Sequence, residues 1–291
     1  MQIGEFFHLN YYNGTICEIP SLLVDAFLIV LNGNEGICLG LGTEGPLAER
    51  FEHRKMKKVK NSVLCFMIVL CSCSTLHTAD NQRAKAHFQL GMSYMNDNNI
   101  QPAFVEFQKA MELDPENKEV LNMLGIIYLA KLENYTEAIK YFKKAMDVDS
   151  DYSEAANNLG MAYERAGQLD ESVRAYKTAL SNPMYRNAEK AFSNLGGVYY
   201  RMKKYNESID AYKESLRRYP DFHLPYYGLA LCYNSLNQYG DSAAALTRAI
   251  ELDPNYKGDR DKAEEDFRNR KMFAMGDEEK DFLDWLEILN Y

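Results

Sequence analysis

A short pattern of residues recurs five times in this sequence at almost constant spacing, and it restricts the possible folds more than any other feature. In each copy a leucine precedes a small residue, and a tyrosine follows that small residue three positions later. The small residues are Gly91, Gly125, Gly160, Gly196 and Ala230, which lie 34, 35, 36 and 34 residues apart. A constant period of about 20 to 50 residues is typical of proteins in which similar units stack in a row, because one unit cannot bury its apolar face alone. The pattern therefore predicts a repeat array.

Each copy continues with a second segment in which small and large residues follow a fixed order. A small residue comes first, at Ala103, Ala138, Ser172, Ser208 and Ser242. A large side chain follows four positions later, at Phe107, Phe142, Tyr176, Tyr212 and Leu246. A second small residue comes three positions after that, at Ala110, Ala145, Ala179, Ser215 and Ala249. This order predicts two helices per copy, which approach closely at the small residues and enclose the large side chain. Proline, which has no amide hydrogen, ends the second helix in three copies, at Pro115, Pro220 and Pro254.

These positions resemble the tetratricopeptide repeat from about residue 84 to residue 256. The resemblance implies an all-α fold, a right-handed superhelical solenoid of about five helical hairpins with a C-terminal capping helix. The expected repeats are 84–117, 118–152, 153–188, 189–222 and 223–256. Residues 257–291 are expected to form capping and tail helices, and the tail helix either docks back on the array or engages a partner.

The resemblance also implies that the first helix of each hairpin lines a concave groove that binds a protein partner. Counting from each repeat start predicts the groove residues Phe88, Met92, Met95, Asn122, Ile126, Leu129, Asn157, Met161, Arg165, Ser193, Tyr200, Arg201, Tyr227 and Leu231. Methionine adapts to varied contacts, and asparagine can both donate and accept hydrogen bonds. A helix or an apolar strand of a partner is the expected ligand. The alternative is that several of these side chains only pack between repeats.

A second signal lies in front of the repeats. A basic segment at 56–60 precedes an apolar run at 63–70, and the run ends in Leu70, Cys71, Ser72 and Cys73. This is the layout of a secretory signal, and the run is shorter than the roughly 20 residues that span a bilayer. Its ending resembles a bacterial lipoprotein signal. The resemblance implies a signal peptide at 56–72, lipidation of Cys73, a tether at 73–83 and a location on the periplasmic face of the outer membrane.

The first 55 residues share no phase with the repeats and precede a signal of a kind that opens a chain. We therefore expect residues 1–55 to be a spurious or disordered N-terminal extension. The alternative is a real extension with a membrane helix near residues 21–39.

Composition and motifs argue against several other functions. A net charge of −9 is atypical of nucleic-acid binders, which carry basic surfaces. The five histidines are isolated, and the sequence has no phosphate-binding loop or nucleophile elbow. We therefore predict a protein that is not an enzyme and that needs no cofactor or metal.

The junction between the third and fourth repeats carries two extra residues and contains Asn182, Pro183 and Tyr185. Together with the signal and the array, this junction resembles the type IV pilus biogenesis and stability lipoproteins. The resemblance implies a pilotin, whose partner is an outer-membrane secretin or another pilus component. Two alternatives stay open: a general envelope scaffold, for example for peptidoglycan enzymes, or a cytosolic adaptor if the signal is spurious.

Overall fold

The computed structural model describes residues 80–291 of the chain. The expected extension at 1–55, the signal peptide at 56–72 and Cys73 lie outside the described residues. The described part is helical and contains no strand. Its twelve helices are α1 (80–96), α2 (Ile100–Leu113), α3 (Lys118–Ala130), α4 (Tyr135–Val148), α5 (Ser153–Arg165), α6 (Leu169–Ser181), α7 (Ala188–Arg201), α8 (Tyr205–Arg218), α9 (His223–Ser235), α10 (Tyr239–Leu252), α11 (Arg260–Lys271) and α12 (Asp277–Ile288).

Consecutive helices pack against each other along the array. Helices α1 to α10 form five hairpins in chain order, and α11 and α12 follow as a sixth pair. This arrangement confirms the predicted all-α solenoid of five hairpins with a C-terminal cap. No helix within residues 80–291 combines the length and the apolar character needed to cross a membrane.

Inside each of the first four hairpins, the glycine of the first helix lies directly against the aromatic ring of the second. A methyl group on Gly125 would lie 2.5 Å from Phe142, and one on Gly160 would lie 2.6 Å from Tyr176. Real carbon atoms do not approach so closely, so any larger residue at these positions would force the ring to shift. These contacts confirm the close approach that the repeat pattern predicted.

Serine at the small position of the second helix adds a hydrogen bond between the two helices of a hairpin. The hydroxyls of Ser172, Ser208 and Ser242 donate to the carbonyl oxygens of the facing small residues at 2.8, 2.7 and 2.8 Å. All three serines are fully buried. Because a buried hydroxyl without a partner destabilises a fold, these bonds explain why serine is tolerated where other copies have alanine.

The turn inside every hairpin contains one residue in the left-handed conformation, two positions before the second helix begins. The φ angles of these residues lie between 49° and 73°, at Asn98, Glu133, Gly167, Lys203 and Asn237. Glycine and asparagine adopt this conformation most readily. Glu133 and Lys203 therefore hold a strained backbone at the position where the third hairpin has glycine.

The C-terminal pair extends the core beyond the last hairpin. The side chains of Phe267, Phe282 and Ile288 are each 2% exposed and join the cluster formed by α7, α8, α9 and α10. Helix α12 packs against both α9 and α10. The tail helix thus docks back on the array, covering apolar side chains that the end of a solenoid would otherwise expose to water.

Candidate protein-binding groove

All fourteen predicted groove residues lie on α1, α3, α5, α7 and α9, the first helices of the five hairpins. We call the side of these helices that carries them the groove face. The structure divides the face into an N-terminal part on α1 and α3, a central part on α5 and the start of α7, and a C-terminal part on the end of α7 and α9.

The apolar side chains of the N-terminal part are half-buried. Phe88 packs against the ring of Phe107, with 5.8 Å between the ring centroids. Met92 and Met95 pack on the same core cluster, and Ile126 and Leu129 pack on the next one. Each of these side chains therefore contributes to the core with one side and to the surface with the other.

The two asparagines among the predicted groove residues are buried, and each forms a hydrogen bond to the next repeat. Asn122 is 6% exposed, and its side-chain oxygen accepts a hydrogen bond of 3.0 Å from Asn158 in the next hairpin. Asn157 is 8% exposed and accepts a bond of 3.3 Å from Asn194 in the hairpin after that. These amide–amide hydrogen bonds hold neighbouring hairpins in register. They also use part of the hydrogen-bonding capacity of the two asparagines that a bound peptide would need.

The central part carries the most accessible of the predicted side chains. Met161 is 37% exposed, Arg165 is exposed, and Ser193 is half-buried. The amide nitrogen of Asn157 lies 3.9 Å from the sulfur of Met161. The thioether therefore stands over the asparagine pair with its other side free for a ligand.

The C-terminal part is covered by the chain's own tail helix. The guanidinium of Arg201 forms an ion pair with both carboxylate oxygens of Asp281, one of them at 2.9 Å. The indole nitrogen of Trp285 donates to the carbonyl oxygen of Tyr227 at 3.3 Å, and the two rings lie 5.2 Å apart.

Tyr200, Tyr227 and Leu231 are buried in the cluster that also contains Phe282 and Ile288. Together with Arg201, these are four of the predicted groove residues. In this structure Arg201 and Tyr227 contact the protein's own tail helix, and Tyr200 and Leu231 lie in the buried cluster that this helix completes.

A cavity of about 390 Å³ lies between the groove face and the C-terminal pair of helices. Glu164 and Gly197 line it from α5 and α7, and Phe267 and Trp285 line it from α11 and α12. The Glu164 carboxylate accepts a hydrogen bond of 3.2 Å from the Tyr176 hydroxyl. Burial raises the pKa of Glu164 above its usual value, because desolvation penalises the charged carboxylate.

The prediction from sequence omitted several residues that shape this face. Asn158 and Asn194 directly precede the leucines of the repeat pattern, so their common phase was a signal that they occupy equivalent places. Asp281 and Trp285 lie in a helix outside the repeat phase, and no local pattern indicated what they contact. Within residues 80–291, no group of histidine, cysteine, aspartate or glutamate side chains is arranged to hold a metal ion.

The sequence matches the tetratricopeptide repeat family at residues 84–117, 116–182, 189–222 and 225–256, which together make up more than half of the chain. Among curated proteins no sequence matches it.

Solved structures with a similar fold include PilW, described as a widely conserved type IV pilus biogenesis factor. PilW is 23% identical, with a TM-score of 0.56 over 70% of this chain and 99% of PilW. The Pseudomonas aeruginosa protein pilF is 22% identical, with a TM-score of 0.55 over 70% of this chain and 98% of pilF. MamA is 22% identical, with a TM-score of 0.52 over 62% of this chain and 96% of MamA. At these identities the likeness shows the fold alone.

Proposed function

This chain belongs to the tetratricopeptide repeat family and is an adaptor for protein–protein interaction, and from that premise we propose where it acts and what it binds. It is a lipid-anchored adaptor on the periplasmic face of the outer membrane, held there by Cys73. Its groove face binds a protein partner and thereby assists the assembly of a type IV pilus secretin. The adaptor catalyses no reaction.

One observation carries the proposed location. The basic segment, the apolar run and Cys73 follow one another immediately before the first repeat. A lipid on Cys73 would tether the array to the membrane through the short segment 73–83. The net charge of residues 73–291 is −8, from 27 lysines and arginines against 35 aspartates and glutamates, and it would hold the array away from an anionic bilayer, so its groove face would stay accessible.

The chemistry of the groove face supports the binding role. Its open part presents thioethers and aliphatic side chains around Met161, with the exposed guanidinium of Arg165 at its edge. Such a surface suits an amphipathic helix or an apolar strand, because methionine repacks around ligands of different shape.

Two observations favour a pilus partner over other envelope partners. The junction around Pro183 resembles that of the pilus biogenesis lipoproteins, and PilW and pilF share the fold. The fold similarity to MamA is of the same order, so the fold alone does not separate a pilus partner from the second candidate, a general envelope scaffold.

The location is tested by following the lipid. Cells of the native source that express the protein with Cys73 intact or with Cys73→Ala are labelled with radioactive palmitate, and their membranes are separated by density. We expect label and outer-membrane recovery for the intact protein and the loss of both for the variant. Unlabelled protein that stays in the cytosol in both cases would contradict the anchor.

The partner is tested by affinity capture from detergent-solubilised envelopes. The baits are the intact protein, Met161→Glu, and the matched control Met184→Glu, which changes a methionine that is 82% exposed in the α6–α7 junction. We expect the intact bait and the Met184 variant to recover the secretin and the Met161 variant to lose it. Equal recovery by all three baits would contradict binding at the groove face. Recovery of peptidoglycan enzymes in place of the secretin would favour the scaffold.

A further inference from the structure

We propose that the cavity between the groove face and the C-terminal helices is a subsite for a lysine or arginine side chain of the protein partner, with the Glu164 carboxylate as its counter-ion. This inference rests on the proposed binding role of the groove face. It adds the chemical class of one residue that the partner must present.

The cavity has room for a long side chain and borders the groove face. Its volume is about 390 Å³, several times the roughly 30 Å³ that one water molecule occupies in the liquid. Gly197 leaves its wall open, since a methyl group there would meet only the Tyr212 hydroxyl, at 3.7 Å. The neighbouring Gly196 differs, because its position is filled by the ring of Tyr212 at 2.7 Å.

Most charged groups around the cavity already have partners. The Asp281 carboxylate is neutralised by Arg201. Arg270 lies 3.7 Å from Asp266 and stacks on the ring of Phe282 at 4.9 Å. These groups need no ligand to balance their charge.

Asp253, a further carboxylate in the lining, is also engaged. It accepts a hydrogen bond of 3.1 Å from the Tyr227 hydroxyl and lies 4.0 Å from the His223 ring.

Glu164 has fewer partners than Asp253, which also accepts a hydrogen bond of 2.9 Å from the backbone N–H of Asn255. The hydrogen-bond donor to Glu164 is the neutral Tyr176 hydroxyl, and within the part of the chain that the structure describes no basic side chain lies within 4.0 Å of its carboxylate. Glu164 is half-buried, and a carboxylate that is partly removed from water is stabilised in its charged form by a cation or several donors. The guanidiniums of Arg165 and Arg201 act on the carboxylate only from beyond that distance, and burial raises its pKa despite them. A cationic ligand would supply the missing charge.

The other walls of the cavity suit the stem and head of a basic side chain. Tyr200, Tyr212, Tyr227, Phe267 and Trp285 line it with aromatic rings. The ring of Trp285 lies 5.2 Å from that of Tyr227 and 5.4 Å from that of Phe267, so the three form one continuous surface. Alkyl stems pack on such surfaces, and aromatic faces attract cations. An acidic side chain would be repelled by Glu164, and a neutral one would leave it uncompensated.

The protein carries its own reporter for this site, because Trp285 is its only tryptophan. We would titrate the purified protein with the peptide acetyl-Ala-Ala-Lys-Ala-Ala-amide and follow the tryptophan fluorescence. The control peptide has norleucine in place of lysine, which keeps the stem and removes the charge. We expect the lysine peptide to bind about tenfold more tightly, the ratio that a charge-assisted hydrogen bond provides.

Two variants test whether the cavity is responsible. Glu164→Gln keeps the shape of the side chain, and we expect it to reduce the preference for lysine to less than about twofold. Gly197→Leu projects a side chain into the open wall, and we expect it to abolish binding of the lysine peptide. The far-ultraviolet circular dichroism of each variant shows whether it is folded. If Glu164→Gln does not fold, Gly197→Leu still decides the question.

Equal affinity for the two peptides, or no binding of either, would overturn the proposal. So would a lysine preference that persists in Glu164→Gln, or full binding by Gly197→Leu. Each of these results can occur while Met161→Glu still loses its partner in the capture experiment, so the failure of the subsite is distinguishable from the failure of the groove.

Discussion

Two adjacent glycines in α7 allow the packing inside a hairpin to be measured with a built-in control. At Gly196 a methyl group would lie 2.7 Å from the ring of Tyr212, whereas at Gly197 it would meet only the Tyr212 hydroxyl at 3.7 Å. Both positions are helical, so replacement by alanine brings the same gain in helix propensity, about 0.8 to 1 kcal/mol. The stability difference between Gly196→Ala and Gly197→Ala therefore isolates the steric cost.

The expected magnitude follows from these distances. Overpacking a well-filled core by one methyl group costs about 1 to 3 kcal/mol. We thus expect Gly197→Ala to be stabilised by up to about 1 kcal/mol, and Gly196→Ala to be about 1 to 3 kcal/mol less stable than Gly197→Ala. Urea unfolding followed by circular dichroism measures both values. For a chain of this size the difference corresponds to a melting temperature about 2 to 12 °C lower for Gly196→Ala.

A third variant extends the series. A methyl group on Gly228 would lie 2.1 Å from the same tyrosine ring, so Gly228→Ala is expected to be the least stable of the three. If Gly196→Ala and Gly197→Ala unfold at the same urea concentration, the ring moves freely and the glycine at the repeat position is not required for packing. That result would refute the steric argument for all four hairpins in which a glycine lies against an aromatic ring.

Three further predictions concern single residues. Lys203 has a φ of 60°, so Lys203→Gly removes backbone strain and is expected to gain about 1 kcal/mol in urea unfolding; an unchanged midpoint would show that the turn carries no strain. Ser242→Ala removes the hydrogen bond to Ala230 and is expected to lose about 1 kcal/mol, whereas no loss would mean that the hydroxyl only fills space. The folded-state pKa of Glu164 lies above 4.5, so its stabilising contribution is present below about pH 4.5 and is lost as the pH rises through the folded pKa. The glutamine in Glu164→Gln does not titrate. The unfolding free energy of this variant minus that of the intact protein is therefore expected to increase between pH 4 and pH 7. A decrease in this difference would contradict the assignment.

The hairpins could be predicted from sequence because their contacts are local and repeat. Gly160 and Tyr176 lie 16 residues apart and belong to one hairpin, and three other copies pair a glycine with an aromatic residue 16 or 17 positions later. A pattern that recurs at fixed spacing identifies both partners of such a contact. The same regularity placed the predicted groove residues on the first helices.

The remaining features have no such repetition. The Asn122–Asn158 and Asn157–Asn194 bonds join neighbouring repeats, and identifying them required knowing that Asn157 and Asn158, which are consecutive, face opposite neighbours. The ion pair of Arg201 joins residues 80 positions apart in the chain, and only one of its members has a repeat phase. Composition and periodicity carry no information about a contact that occurs once. Only the structure therefore showed that the tail helix covers the C-terminal part of the groove face.

The docked tail limits what the groove face can hold. A ligand that entered from the α1 end would meet open surface as far as Met161 and would then reach α12. To continue it would have to displace the tail, breaking the Arg201–Asp281 pair and exposing Phe282 and Ile288, each of which is 2% exposed in this structure. Exposing each buried side chain of this size costs about 1.5 to 3 kcal/mol, which the new contacts would have to exceed. A partner that ends at the cavity beside Glu164 avoids this cost, and for that reason we expect the bound segment to span the first three hairpins and to place its basic side chain at the tail.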